Sequence, residues 1–236
     1  MSPFIHVIFK EKNMWKQFRK IEKGEFLLFA VDTSSGGGDN TTCQALSKTK
    51  IDVPLVYKSP ESTTVFIPIL HRTLEAIFDH TGVKPCVAFE RNNGGNFLMD
   101  RLAAMNHLGK YDIFLMPDFG KDVKDKANKI LPGFNVVLTN KFGWDTNSST
   151  RDKALQELQE VVEKKLLIIY DKDTLKELLS FVKKNGRPEA ERGSHDDLVL
   201  ALAIAWQMYL IQPIPSKNAD FDYSQYEDYK QPEINY

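Results

Sequence analysis

Residues 26–40 read FLLFAVDTSSGGGDN, and the architecture follows from how they are taken. The apolar half has the character of a buried β-strand, and that strand stops on a carboxylate, Asp32. Three consecutive glycines come soon after, Gly36–Gly38, clearing side chains from the space beside the acid. Two chemistries suit this arrangement: a loop that cradles phosphate, or one wall of a metal site. A plainer reading is that an Asp after a strand accepts hydrogen bonds from the next backbone amides in a turn. The strict phosphate loop fails, because no Lys-Ser or Lys-Thr pair follows the glycines. A looser loop of the actin or sugar-kinase type stays open, since it too follows the first strand of a meander.

The neighbouring segments alternate in character. TTCQALSKTKIDVPLVYKS has two strand-like pieces around a polar SKTKID, which predicts antiparallel pairing with the first strand. TVFIPILHRTLEAIFDHTG sets Ile69, Leu70, Leu74, Ile77 and Phe78 at helical intervals and stops at Gly82. KPCVAFERNNGG repeats the opening theme: a short apolar strand ends in an acid, Glu90, before an Asn- and Gly-rich turn and the helix NFLMDRLAAMNHLG. YDIFLMPDFG reads as a further buried strand, and residues 121–150 as a long loop that opens a helix near Ser148 and Ser149. LLIIYD reads as a short strand and KDTLKELLSFVKKNG as a helix. RPEAERGSHDDLVLALAIAWQMYLI reads as a turn leading into a buried helix. Residues 1–24 lack a clear period and form a lead-in, residues 25–212 the domain, and residues 213–236 an acidic, tyrosine-rich, flexible tail. The expected class is α/β: a mixed sheet, an antiparallel meander plus parallel strands, with helices on both faces. Chemistry in such sheets collects where strands end.

With 236 residues, 42% of them hydrophobic, the chain can fill a sizeable core. The formal net charge is −1, so binding to a polyanion has to come from a local patch or from bound cations. Cys43 and Cys86 lie far apart with no CxxC or His-Cys spacing, which argues against a zinc site or disulfide framework and for a reducing compartment. The N-terminus has no apolar core suited to a signal sequence, and LVLALAIAWQMYLI falls short of the ~18 residues of a membrane span. A soluble, intracellular protein is expected.

The acids carry the chemistry. Glu90 has a plain role available in pairing with the adjacent Arg91, although neighbours along a strand point to opposite faces. Asp196 and Asp197 have one at the start of the last helix, where Ser194 to Asp197 nearly makes a capping box and acids suit the helix dipole. One acid is enough for a cap, and two adjacent carboxylates at the start of a buried helix are costly unless cations offset them. If the two strand ends and the helix start meet, three or four carboxylates surround one point, and oxygen-only ligands suit Mg²⁺ or Mn²⁺. Asn92, Asn93 and Gly37 offer amides and backbone clearance for a phosphate chain. Lys121, Lys124, Lys126 and Lys129, with Lys183, Lys184, Arg187 and Arg192, are candidate basic contacts, each cluster reading equally as a solvated surface.

Four phrases in order, FAVDTSSGGGDNT, VAFERNNGGNFLMDRL, FGWDTNSSTRDKALQELQEVV and GSHDDLVLALAIAW, resemble the nuclease domain of the large terminase subunit of tailed bacteriophages. The resemblance spans about Gly24 to Ile211 and implies an RNase H-like fold. It implies a metal-dependent endonuclease that cuts double-stranded DNA, with Asp32 bridging two Mg²⁺ or Mn²⁺ ions about 3.5–4 Å apart. Glu90 would complete one ion's shell and Asp196 or Asp197, the latter favoured, the other's. Implied partners are a small terminase subunit, a packaging ATPase and the portal, and the implied location is the host cytoplasm. No GxxxxGK[ST] motif occurs, which suggests an excised domain or a split gene. Other readings are a junction resolvase or transposase-like nuclease, an actin-like or sugar-kinase-like nucleotide binder, and a catalytically silent docking module.

Overall fold

The computed structural model describes residues 15–33, 40–92, 94–118, 138–184, 187–190 and 196–215. Strands β2 (Leu27–Asp32), β3 (Thr41–Ser47) and β4 (Asp52–Ser59) form the antiparallel meander, with Val31 opposite Cys43 and Cys43 opposite Tyr57. Helix α1 (Thr63–Thr81) then returns the chain so that β5 (Cys86–Phe89) runs parallel to β2. Gly82 ends α1 in the left-handed region (φ 72°), its N–H donating to the Phe78 carbonyl, the glycine stop expected from the sequence. After α2 (Gly95–Met105), β6 (Asp112–Ile113) runs parallel to β5. The sheet order is β1-β4-β3-β2-β5-β6, where β1 is Trp15–Gln17, and β9 (Ile168–Ile169) lies parallel to the start of β4. The mixed α/β architecture read from the sequence is the one observed.

β2 lies inside the sheet and both of its faces are covered, which is why it reads as an unbroken apolar run. Leu27, Phe29 and Val31 face Phe66, Leu70, Leu74, Leu98 and Leu102 of α1 and α2. Leu28 and Ala30 face the opposite layer, with Cys86 and Ala88 of β5 and the helices α3 (Ser148–Glu163) and α5 (Asp197–Ile211). Helix α5 is packed against β2, β3, α3 and α4 (Lys172–Leu179), so eleven of its fifteen residues are buried and a sided pattern is missing from its sequence. Among the described residues no helix is long and apolar enough to cross a membrane.

Three local readings change. Trp15–Gln17, taken as part of an aperiodic lead-in, pairs antiparallel with β4, and Trp15 is buried edge-on to Phe29 and Tyr57. YDIFLMPDFG is not one strand: β6 stays in the main sheet, while β7 (Leu115–Pro117) pairs antiparallel with β8 (Leu138–Phe142), a strand inside the segment read as loop. An apolar run says that a strand is buried and not which partner each half takes. The helix read over KDTLKELLSFVKKNG stops at Leu179, and β10 (Phe181–Lys184) pairs antiparallel with β11 (Arg187–Ala190) in the register Lys184 to Arg187. The sequence between them is Asn-Gly, the strongest short hairpin signal, and it outranks the helical spacing of Leu178 and Phe181.

At the far edge of the sheet Arg19 holds two buried acids. Its guanidinium donates to Glu25 at 3.1 Å and to Asp52 at 2.6 Å, with Glu25 1% and Asp52 3% exposed. Cys43 and Cys86 are buried free thiols, and burial pushes both thiols well above the usual range.

Candidate active site

Main-chain pairing brings the first two acids together. Val31 sits opposite Phe89 in the parallel pair of β2 and β5, and the Glu90 N–H donates to the Val31 carbonyl at 2.9 Å. Asp32 and Glu90 therefore leave adjacent strands side by side. The two-residue period puts them on the face of Leu28, Ala30, Cys86 and Ala88, toward α5. They are 7% and 6% exposed. Helix α5 begins at the same end, with Asp196 as its N-cap and Asp197 as its first residue. Strand β3 fixes that start: the Thr42 hydroxyl donates to the Asp197 carbonyl at 2.9 Å, and the Gln44 amide to the Leu198 carbonyl at 3.2 Å.

Charge is concentrated here. Burial drives the Asp32 carboxyl well above the ordinary range, helped by a hydrogen bond with Glu90 and by the charges of Glu90, Asp197 and Asp196. Asn92 donates to Glu90 Oε1 at 3.3 Å and to the Thr146 carbonyl at 2.7 Å, steadying that carboxylate. Asp197 Oδ2 accepts from the backbone N–H of Asn40 at 3.1 Å and from its side-chain amide at 3.2 Å. Asp196 is held by Arg151 at 2.6 Å. Among the described residues no three Asp, Glu, His or Cys side chains converge in ligating geometry. Glu90, Asp196 and Asp197, which act on Asp32, nonetheless offer carboxylate oxygens, and these fit a hard divalent cation.

No family model and no curated protein matches the chain. Solved structures do. The large terminase nuclease of thermophilic phage G20c, with bound magnesium, aligns at TM-score 0.54 and 15% identity over 87% of this chain and 96% of that one. The same nuclease with bound cobalt gives 0.52 and 14% over 87% and 96%. The large terminase nuclease domain of Thermus phage P74-26 gives 0.52 and 14% over 92% and 100%. The fold is that of the phage large-terminase nucleases.

Within this terminase-nuclease fold, the plain roles weighed for Glu90 and Asp196 fall to other residues, while Asp197 keeps its place in the first turn of α5. Arg91 turns away from Glu90 and pairs with Asp145 at 2.6 Å. Asp196 makes no side-chain cap, and the Leu198 N–H goes to Glu177 Oε2 at 2.9 Å. Burial raises the Glu177 carboxyl, while the Lys58 ammonium at 2.8 Å opposes that rise. Asn40, Arg151 and Glu177 were not legible as site residues. Arg151 lies 45 positions from Asp196 and Glu177 lies 21 from Leu198, so no local spacing announces either contact. Asn92, expected as a phosphate contact, has its side-chain amide on Glu90 and the Thr146 carbonyl. Arg187 lies on β11 and Lys183 and Lys184 on β10, and their side chains lie outside what is described. Gly37, Asn93, Lys121, Lys124, Lys126, Lys129 and Arg192 also lie outside the described residues.

Gly95 explains the glycine pair after Glu90. A Cβ at Gly95 would lie on the Glu90 carbonyl carbon and oxygen, well inside van der Waals contact, and the obstacle is backbone that cannot rotate away. Gly95→Ala is expected to cost about 1–3 kcal/mol by forced overpacking. The same push displaces Glu90, so a thermal melt and an assay of divalent-ion binding should both register the change. An unaltered melting temperature would mean that the turn relaxes without strain.

Proposed function

We propose that this chain is a metal-dependent endonuclease that cuts double-stranded DNA during phage genome packaging. The observation that carries the reading is a buried Asp32 hydrogen-bonded to Glu90, with Asp196 and Asp197 raising its proton affinity, at the sheet end where α5 begins. The shared fold supports it, as does the magnesium held by one of the similar nucleases. Asp32 and Glu90 with Asp196 or Asp197 would hold Mg²⁺ or Mn²⁺, two ions in the full site. Bound there, such ions supply an activated water and stabilise charge on the scissile phosphate and the departing 3′ oxygen.

This chain's own groups prepare that site. Asn92 keeps the Glu90 carboxylate oriented, and the two N–H groups of Asn40 do the same for Asp197. Loading Asp196 requires it to turn from Arg151. Lys121, Lys124, Arg187, Arg192, Gly37, Asn92 and Asn93 are the proposed DNA contacts. The balanced net charge implies weak, salt-sensitive, sequence-tolerant binding by this domain, so a small subunit, an ATPase and a portal in the host cytoplasm would choose the target. Digestion of supercoiled plasmid in Mg²⁺, Mn²⁺, Ca²⁺ and EDTA tests the proposal. Cutting is expected in Mn²⁺ at least as fast as in Mg²⁺, and not in Ca²⁺ or EDTA. Cutting that persists in EDTA would sink the metal-dependent reading.

A further inference from the structure

Helix α5 opens on an apparent contradiction. An N-cap side chain ordinarily accepts from the N–H of the second or third helical residue, and Asp is among the preferred caps. Asp196 holds the N-cap position, yet its carboxylate caps no amide. The amide within its natural reach, Leu198 N–H, donates instead to Glu177 Oε2 at 2.9 Å. Glu177 belongs to α4 and is 8% exposed, and its other oxygen accepts from Lys58 on β4 at 2.8 Å. The corner is held from a second side by Gln44 on β3. Its amide donates to the Leu198 carbonyl at 3.2 Å and to the Thr174 hydroxyl of α4 at 2.9 Å.

We propose that Glu177 is a positioning residue that caps α5 in place of Asp196, keeping both helix-start carboxylates out of the cap and available to divalent cations. This rests on the nuclease reading above. A buried N–H cannot go without an acceptor. With Glu177 gone, the N-cap carboxylate Asp196 is placed to take the Leu198 N–H, and serving it would keep Asp196 from turning from Arg151 to a cation. Lys58 pairs with Glu177 at 2.8 Å and offsets part of the charge that Glu177 sets against Asp197.

The test is Mn²⁺ binding by calorimetry without DNA, on wild type, Glu177→Gln and Glu177→Ala, beside melting curves in EDTA. Glu177→Gln keeps an oxygen for the Leu198 N–H and is expected to bind Mn²⁺ close to wild type. Glu177→Ala is expected to weaken binding on the order of tenfold, the usual scale for removing a group that orients a ligand. Its melting temperature should change little, because Asp196 takes over the cap. An unchanged Mn²⁺ affinity in Glu177→Ala, with a lower melting temperature, would make Glu177 an ordinary cap and overturn the inference. If Glu177→Ala does not fold, Glu177→Asp keeps the charge near Lys58 but withdraws it from Leu198. The same weakening is then expected, and an unchanged affinity again overturns the inference. Wild type that binds no Mn²⁺ would count against the nuclease reading itself.

Discussion

If the proposed nuclease reading holds, Asp32→Asn is expected to abolish plasmid cleavage in Mg²⁺ and Mn²⁺, a loss of about three orders of magnitude or more. Glu90, Asp196 and Asp197 all act on Asp32, which ends a strand buried on both faces, and an asparagine there keeps the shape but loses the charge that would hold an ion. A bound divalent ion is worth several kcal/mol of charge stabilisation, and each 1.36 kcal/mol is about a factor of ten in rate. Stability should move the other way. The folded-state pKa of Asp32 is raised, so from its unfolded value upward the native state holds the extra proton. Stability is therefore fullest below the unfolded pKa, and it falls as pH rises toward the folded one. Asparagine carries no such cost. In EDTA at neutral pH the variant should melt no lower than wild type, with a flatter dependence on pH, and Mn²⁺ should stabilise only the wild type. Undiminished cutting by Asp32→Asn would place the reaction at another site, and a large fall in melting temperature would return Asp32 to the role of a turn cap.

Arg19→Met is the largest expected blow to stability, and it falls far from the candidate site. Arg19 is the common partner of Glu25 and Asp52, both almost wholly buried. Removing it strands two carboxylates in the interior, and breaking a buried pair in this way costs about 3–5 kcal/mol. For a domain of this size that is a fall of about 2–4 °C in Tm per kcal/mol. Burial raises the Glu25 carboxyl, but Arg19 and the Glu22 N–H outweigh it and hold it below its ordinary value. That contribution is present above the unfolded pKa and is lost as pH falls through the folded one. The deficit of Arg19→Met should thus be largest at neutral pH and shrink on acidification as Glu25 takes a proton. Adding Glu25→Gln and Asp52→Asn should recover much of the loss. A deficit below about 1 kcal/mol at neutral pH, the scale of an exposed pair, would show that water reaches these acids.

What could be read in the sequence follows the range of the interactions. Asp32 and Glu90 were legible because each ends an apolar strand, where a carboxylate is conspicuous. Gly82 was legible because a helix stop is a local event. Glu177 was not: in KDTLKELL it looks like any charge on a helix surface, and only the packing of α4 over the start of α5 buries it. Arg151 reads as a first-turn arginine until folding sets it beside Asp196. β8 is not legible because its partner β7 lies in an apolar run that β6 shares. The β10–β11 hairpin is masked in the sequence by helical spacing that runs up to its Asn-Gly pair.

The pairing of β2 with β5 has one more consequence. Since main-chain bonds set the distance between Asp32 and Glu90, the identities of the apolar side chains beneath them hardly enter. Aliphatic and aromatic residues can trade places there while total volume and pattern are kept. A lineage carrying this frame is able to rewrite nearly all of its interior and leave the acids standing where they were.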